Sequence, residues 1–280
     1  PKQAAALILG KGEEIGSQLF TSDYLENVIF TGSLETAKII QRQLIEKKNI
    51  INFIAETGGL NCLIADSSAL TEHIVEDVIN SAFNSAGQRC SACRILCIEE
   101  NVYKKTISML KGAVETLLVS SPENISTDVG PVIDNSAKEK IINHINKFSK
   151  NSHQAPVNKE GNFINPTIIE IKNISEVTEE IFGPVLHVLP FNSKNLVELC
   201  KQIDSLNYGL TLGIHSRIDK VIDTVIKNTN VGNTYINRNI VGAVVGSQPF
   251  GGHHKSGTGP KAGGPEYLKK FCYEYSISNN

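Results

Sequence analysis

An α/β fold built on parallel strands is the class that this sequence predicts, from three observations. Short apolar runs of strand length alternate with amphipathic runs of helix length along the whole chain. A run such as Ala4–Leu9 is apolar on both faces, the pattern of a buried strand that needs neighbours on each side. Glycine or an N-capping residue stands where strand patterns hand over to helix patterns, as in Phe30-Thr31-Gly32-Ser33.

In chain order, Ala4–Leu9 predicts a strand, Glu13–Phe20 a helix, Asn27–Phe30 a strand, Leu34–Lys48 a helix and Ile50–Ala55 a strand. A second series runs through a strand at Asn61–Ala65, a helix at Ser68–Ala86, a strand at Ile95–Ile98 and a helix at Val102–Leu118. Ser120–Asn165 carries Ser-Pro, Asp-Val-Gly-Pro and Asn-rich turns, and reads as connecting structure around one helix at Asn135–Phe148. Strands follow at Ile168–Ile171 and Val185–Pro190, then a helix at Asn195–Leu206 and a strand at Thr211–His215. A helix at Lys220–Lys227 and a strand at Asn233–Asn237 complete the alternation. Gly242–Gly264 is dense in glycine and predicts a loop of exposed backbone amides. Tyr273–Ser278 alternates like a strand that adds to the edge of another sheet. No internal repeat or low-complexity tract interrupts the pattern.

A chain of 280 residues with 40% hydrophobic and 20% charged residues can bury one large core or two smaller ones. A net charge of -2 and a pI near 6.4 give no general attraction to phosphate backbones or anionic lipid, so the expected partner is a small molecule. No apolar run approaches the roughly 20 residues that a membrane helix needs, so no direct membrane insertion is expected, and the start lacks an export signal. The six cysteines are sparse and sit mostly in apolar runs, which fits a reducing cytoplasm. Pro1 stands in place of an initiator methionine just before an apolar strand pattern, so a fragment of a longer polypeptide is expected.

Four motifs carry candidate chemistry. Ser33 is placed to cap a helix whose first amides form an anion site, and Gly10-x-Gly12-x-x-x-Gly16 offers a glycine turn upstream. Taken alone, the first is an ordinary capped helix and the second lacks the full dinucleotide fingerprint. Glu56-Thr57-Gly58-Gly59 puts a carboxylate at the carboxyl end of a strand, where α/β proteins place their chemistry. Ala86-Gly87-Gln88-Arg89-Cys90-Ser91 presents a thiol in a turn among backbone amides, although a lone cysteine is more often buried and inert. Cys90-x-x-Cys93 has no second ligand pair at zinc-like spacing, and His253-His254 reads as a solvated loop dipeptide, so no metal is expected.

Taken together these motifs, with Glu180-Ile181-Phe182-Gly183-Pro184-Val185 and Pro249-Phe250-Gly251-Gly252 downstream, resemble the aldehyde dehydrogenase superfamily in order and in the Glu56-to-Cys90 spacing. Within it, SAFNSAGQRCSACRILC, YGLTLGIHSRID, GNTYINRNIVGAVVGSQPFGG and SGTGPKAGGP resemble the 1-pyrroline-5-carboxylate dehydrogenase module of bifunctional proline utilization A proteins. The resemblance implies an aldehyde dehydrogenase-like fold: part of an NAD-binding domain over 1–58, a catalytic domain over 59–270 and an oligomerisation strand over 271–280. It implies NAD as cofactor and glutamate γ-semialdehyde as substrate, with Cys90 as nucleophile and Glu56 as the base that hydrolyses the thioester.

By the same resemblance Gly12, Gly16, Thr31, Gly32 and Ser33 lie along the adenosine and pyrophosphate half of the cofactor, and Glu180 and Phe182 beside the nicotinamide ribose. Ser91, Gly263 and Gly264 are placed on the substrate carboxylate and Phe271 on its aliphatic part, while Arg89 adds positive charge that would lower the thiol's pKa. Cys93 departs from the residue expected there, and pairing with Cys90 would inactivate the site. A homo-oligomer is implied, with a proline dehydrogenase domain fused or paired to it. The alternatives are a catalytically silent interaction module and a dehydrogenase of another semialdehyde.

Overall fold

Strands that are apolar on both faces have few stable arrangements, and side by side beneath a cover of helices is the common one. The protein, represented by a computed structural model that describes residues 4–154, 160–244 and 246–280, adopts it. The chain starts with α1 (Gly12–Thr21), β1 (Asn27–Thr31), α2 (Leu34–Ile45) and β2 (Asn52–Glu56), and β1 and β2 form a parallel pair with Thr31 opposite Glu56. Next come β3 (Asn61–Ala65), α3 (Thr71–Phe83), β4 (Cys93–Glu99), α4 (Glu100–Glu115), α5 (Asn135–Lys147), β5 (Ser152–Gln154), β6 (Thr167–Glu170) and β7 (Val185–Phe191). The remainder is α6 (Leu196–Ser205), β8 (Tyr208–Gly209), β9 (Thr211–His215), α7 (Asp219–Lys227), β10 (Asn233–Ile236) and β11 (His253–His254).

A seven-stranded sheet in the order β10-β9-β3-β4-β7-β6-β5 forms the centre, parallel except for β5 at its edge. Every residue of β3, β4 and β9 is buried, so helices and loops cover both faces. Leu63, Ile64, Ile95, Leu96, Ile98, Val188, Leu212 and Ile214 make up its inner layers, and α3 and α4 add Ile74, Val78, Phe83 and Leu110. Two short elements escape the apolar pattern because they bury so little: edge strand β5, and the β8–β11 ribbon that ties the glycine-rich loop to the residues just before β9.

Two expected strands do not form. Residues 4–9 make no strand, and Leu7 and Leu9 are 85% and 83% exposed. Residues 273–278 likewise form no strand. Each has a strand-like apolar pattern, yet among the described residues neither pairs with another strand, and a strand without a partner leaves its ladder unsatisfied. The helix expected over Ser68–Ala86 stops at Phe83, where the chain turns into a short 3-10 segment. Val245 of the glycine-rich stretch and residues 155–159 of the connecting segment lie outside the described residues.

Candidate active site

Glu56 is the last residue of β2, and the glycine-rich loop closes over it. Gly257 bridges to Glu56 in antiparallel fashion, and the Thr57 amide donates to the Ser256 carbonyl at 3.0 Å. The Gly252 amide donates to the Oε2 of Glu56 at 3.4 Å, while Oε1 is buried without a hydrogen-bond partner. The approach is so close that a Cβ on Gly251 would stand 2.8 Å from Oε1. Burial therefore dominates and pushes the Glu56 carboxyl up to about 7, against the pull of the Gly252 amide and the Lys261 charge.

Cys90 sits in a turn between α3 and β4, closed by the Ala92 amide donating to the Arg89 carbonyl at 3.1 Å. Three residues in succession before it, Ser85, Ala86 and Gly87, have φ of 56°, 53° and 64°. Left-handed backbone at a serine and an alanine costs energy, and such conformations persist where the surroundings over-determine them. Burial raises the thiol's pKa, followed by the charges of Glu180 and Glu56; the backbone amides of Ser91 and Cys90 oppose them. The Arg89 guanidinium donates through Nε to the Ser85 hydroxyl at 2.9 Å.

The third wall is the loop before β7, which carries Glu180 and Phe182. Arg94 on β4, only 1% exposed, ties this loop to the Cys90 turn. Its Nη1 donates to the Gly183 carbonyl at 3.1 Å, and its Nη2 to the Arg89 carbonyl at 3.2 Å and to Glu180 Oε1 at 3.3 Å. The guanidinium also lies 5.4 Å from the centre of the Phe182 ring. Glu180 is raised by burial in spite of Arg94 and the Gly59 amide.

These elements enclose a cleft of about 450 Å³. Thr31, Gly32 and Ser33 line it from the carboxyl end of β1, Glu56 from that of β2, Cys90 from its turn, and Glu180 and Phe182 from the loop before β7. The cleft thus lies between the carboxyl end of the two-stranded sheet and the amino ends of the middle strands of the seven-stranded one. Ser33 caps α2 by accepting from the Thr36 amide at 3.1 Å, as expected.

Other expected residues stand apart from this cleft. Gly12 and Gly16 are on α1, which buries none of its residues. Ser91 is buried behind the turn. Gly263 has a φ of 71°, the Gly264 amide is engaged by the Lys261 carbonyl at 3.1 Å, and Phe271 stacks edge-on against Tyr267. Cys93 is wholly buried in β4, its thiol pushed up to about 12 by burial, and it is a free cysteine.

Two residues that hold the site were not singled out in the sequence. Arg94 had a readable signal, a lone charge inside the apolar run Cys93–Ile98, since a charge there must be paired. Asn61 had none: it opens a strand like any other residue, yet its side chain donates to the carbonyls of Cys90 and Ala92 at 2.7 and 2.9 Å.

The chain is 48% identical to the bifunctional protein PutA of Salmonella typhimurium over 97% of its own length and 22% of that protein's. It is 35% identical to a 1-pyrroline-5-carboxylate dehydrogenase of a Geobacillus species over 93% of its length and 52% of that enzyme's. The chain thus spans about a fifth of the PutA relatives and about half of the shorter ones. Among solved structures, a mutant proline utilization A of Bradyrhizobium japonicum superposes with a TM-score of 0.94 at 47% identity, over 97% of this chain and 28% of that one. A Thermus 1-pyrroline-5-carboxylate dehydrogenase with bound NAD superposes at 0.86 and 32% identity, over 94% and 52%. The aldehyde dehydrogenase family model matches residues 1–277, and with that match the chain belongs to the aldehyde dehydrogenase family.

Proposed function

We propose that this chain carries the catalytic centre of an NAD-dependent L-glutamate γ-semialdehyde dehydrogenase, which oxidises its substrate to L-glutamate in proline breakdown. The observation that carries the reading is the convergence of Cys90 and Glu56, from different sheets, on one cleft, with the carboxyl poised at about 7. The names of the PutA and 1-pyrroline-5-carboxylate dehydrogenase relatives support the substrate class.

The cleft also suits a dinucleotide. Its volume falls in the ordinary range for ligand sites, and a capped helix start beside Ser33 offers backbone amides to an anion. A Cβ on Gly58 would collide with the Glu180 carboxylate, so glycine keeps that floor open. Thr31, Gly32 and Ser33 would hold the pyrophosphate side, with Gly12 and Gly16 toward the adenosine, and Glu180 and Phe182 the nicotinamide ribose. NAD, when bound, supplies the acceptor for the hydride that leaves the substrate carbon.

The residues of the chain do the rest. The Cys90 thiolate adds to the aldehyde carbon, and the Cys90 amide donates to the oxyanion that forms. Loss of hydride leaves a thioester on Cys90. Glu56 then takes a proton from water, the hydroxide adds to the thioester carbon, and the carboxylic acid departs as Cys90 is released as thiolate. Ser91, Gly263, Gly264 and Phe271 are proposed to hold the substrate's far end, with Arg89 adding charge nearby. Within this reading 1–58 contributes to cofactor binding, 59–270 to catalysis and 271–280 to a homo-oligomer contact, and the chain works fused to or paired with a proline-oxidising domain.

NADH formation from glutamate γ-semialdehyde, compared with Cys90→Ala, tests the proposal: loss on the order of 10³-fold or more is expected. Equal turnover by Cys90→Ala would overturn the assignment, and a folded wild-type chain without turnover would favour the silent module. Ser91→Ala is expected to raise KM for the semialdehyde; an unchanged KM removes Ser91 from the anchor.

A further inference from the structure

The turn that carries Cys90 is gripped from its buried side. The Arg89 carbonyl accepts from Arg94 Nη2 at 3.2 Å and the Cys90 carbonyl from Asn61 Nδ2 at 2.7 Å. The Ser91 carbonyl accepts from the Thr211 hydroxyl at 3.3 Å and the Ala92 carbonyl from Asn61 Nδ2 at 2.9 Å. In a planar trans peptide the carbonyl and the next amide point opposite ways. Drawing the carbonyls of Arg89 and Cys90 toward the core therefore turns the amides of Cys90 and Ser91 the other way, onto the sulfur, where both lower the thiol's pKa.

Asn61 makes two of these four bonds and has nothing to spare. It is 2% exposed, its two amide protons serve Cys90 and Ala92, and its Oδ1 accepts from the Thr211 amide at 3.1 Å. That last donor fixes which end of the side-chain amide faces the turn. A Cβ on Gly59 would collide with Asn61 Oδ1, so glycine there leaves it room. Asn61 opens β3, Thr211 opens β9 and Cys90 precedes β4, so adjacent strands of the rigid sheet hold the turn from below.

We propose that Asn61, seconded by Thr211, which holds the carbonyl of Ser91 itself, is a positioning residue that acts through the Cys90 carbonyl to aim the backbone amide of Ser91 at the sulfur and at any oxyanion formed beside it. The inference rests on the reading of Cys90 as the nucleophile. An asparagine that merely stitched β3 to β4 would affect stability but not the titration of the thiol. The charged groups acting on that thiol are Glu56 from β2, Glu180 from the loop before β7 and Arg94 from β4; the variants below leave all three in place.

The test is alkylation of the full chain by iodoacetamide across pH, resolved by residue with mass spectrometry, in wild type, Asn61→Ala and the near-isosteric Thr211→Val. Exposed Cys272 serves as internal control. In Asn61→Ala the midpoint for Cys90 is expected to rise by about one unit and its rate below the midpoint to fall roughly ten-fold, with Cys272 unchanged. Thr211→Val should shift the midpoint the same way by less, and it decides the matter should Asn61→Ala fail to fold. A Cys90 midpoint equal to wild type in a folded variant, even with faster alkylation from a loosened turn, overturns the proposal. If wild-type Cys90 shows no pH-dependent alkylation, the nucleophile reading falls first and this proposal with it.

Discussion

Glu56 owes its chemistry to an oxygen with no partner. A carboxyl with an ordinary value of 4.5 that titrates at about 7 is half ionised at neutral pH, so it can both take a proton from water and release it again. The same burial has a cost for the fold. The raised pKa means that the folded state binds the proton more tightly than the unfolded one, so this contribution is most favourable below 4.5 and is lost as pH rises through about 7. Glu56→Gln removes the charge and is expected to stabilise the chain at pH 8 by about 1 kcal/mol after allowance for partial exposure. It should leave stability nearly unchanged at pH 4. Urea melts at both pH values check this, and an equal change at both would show that burial of the charge is not the cause. Gly251→Ala, which drives a methyl toward Oε1, is expected to displace the carboxylate and slow thioester hydrolysis, while alkylation of Cys90 continues.

Among the elements, β4 links chemistry to scaffold. It follows the Cys90 turn, carries Arg94 and lies between β3 and β7, so one strand sets Cys90 and the Glu180–Phe182 loop together. Arg94→Met leaves Glu180 as a buried charge without its partner, and removing one member of such a pair typically costs about 3–5 kcal/mol. Denaturant unfolding of Arg94→Met beside Arg94→Met/Glu180→Gln tests this: the double variant should recover part of the loss, and no recovery would mean that the pair is not coupled. The apolar rhythm made β3, β4, β7 and β9 legible almost to the residue, because each buries both faces. It misled at residues 4–9 and 273–278, since an apolar run announces the wish for a partner and not its presence. Glu56 and Cys90 were legible through the glycine turns that present them; Asn61 was not, because its value lies in carbonyls 29 and 31 positions away in sequence.

At the scale of the whole molecule, the site exists because two sheets meet end to end. The carboxyl end of β1 and β2 supplies Thr31, Ser33 and Glu56, and the amino ends of β3, β4, β7 and β9 supply the support for Cys90. Neither sheet alone holds both groups, which is why composition and periodicity gave the class of fold while the pairing of Glu56 with Cys90 needed the order of motifs. The net charge of -2 fits a small neutral or zwitterionic substrate better than a polyanion. The central claim is that Cys90 takes the acyl group and Glu56 removes it. Mass spectrometry of Glu56→Gln mixed with NAD and glutamate γ-semialdehyde, under conditions where the wild type turns over, tests it most directly. The account predicts a glutamyl thioester that accumulates on Cys90; rapid turnover by the variant, or an acyl group on any other residue, would contradict it.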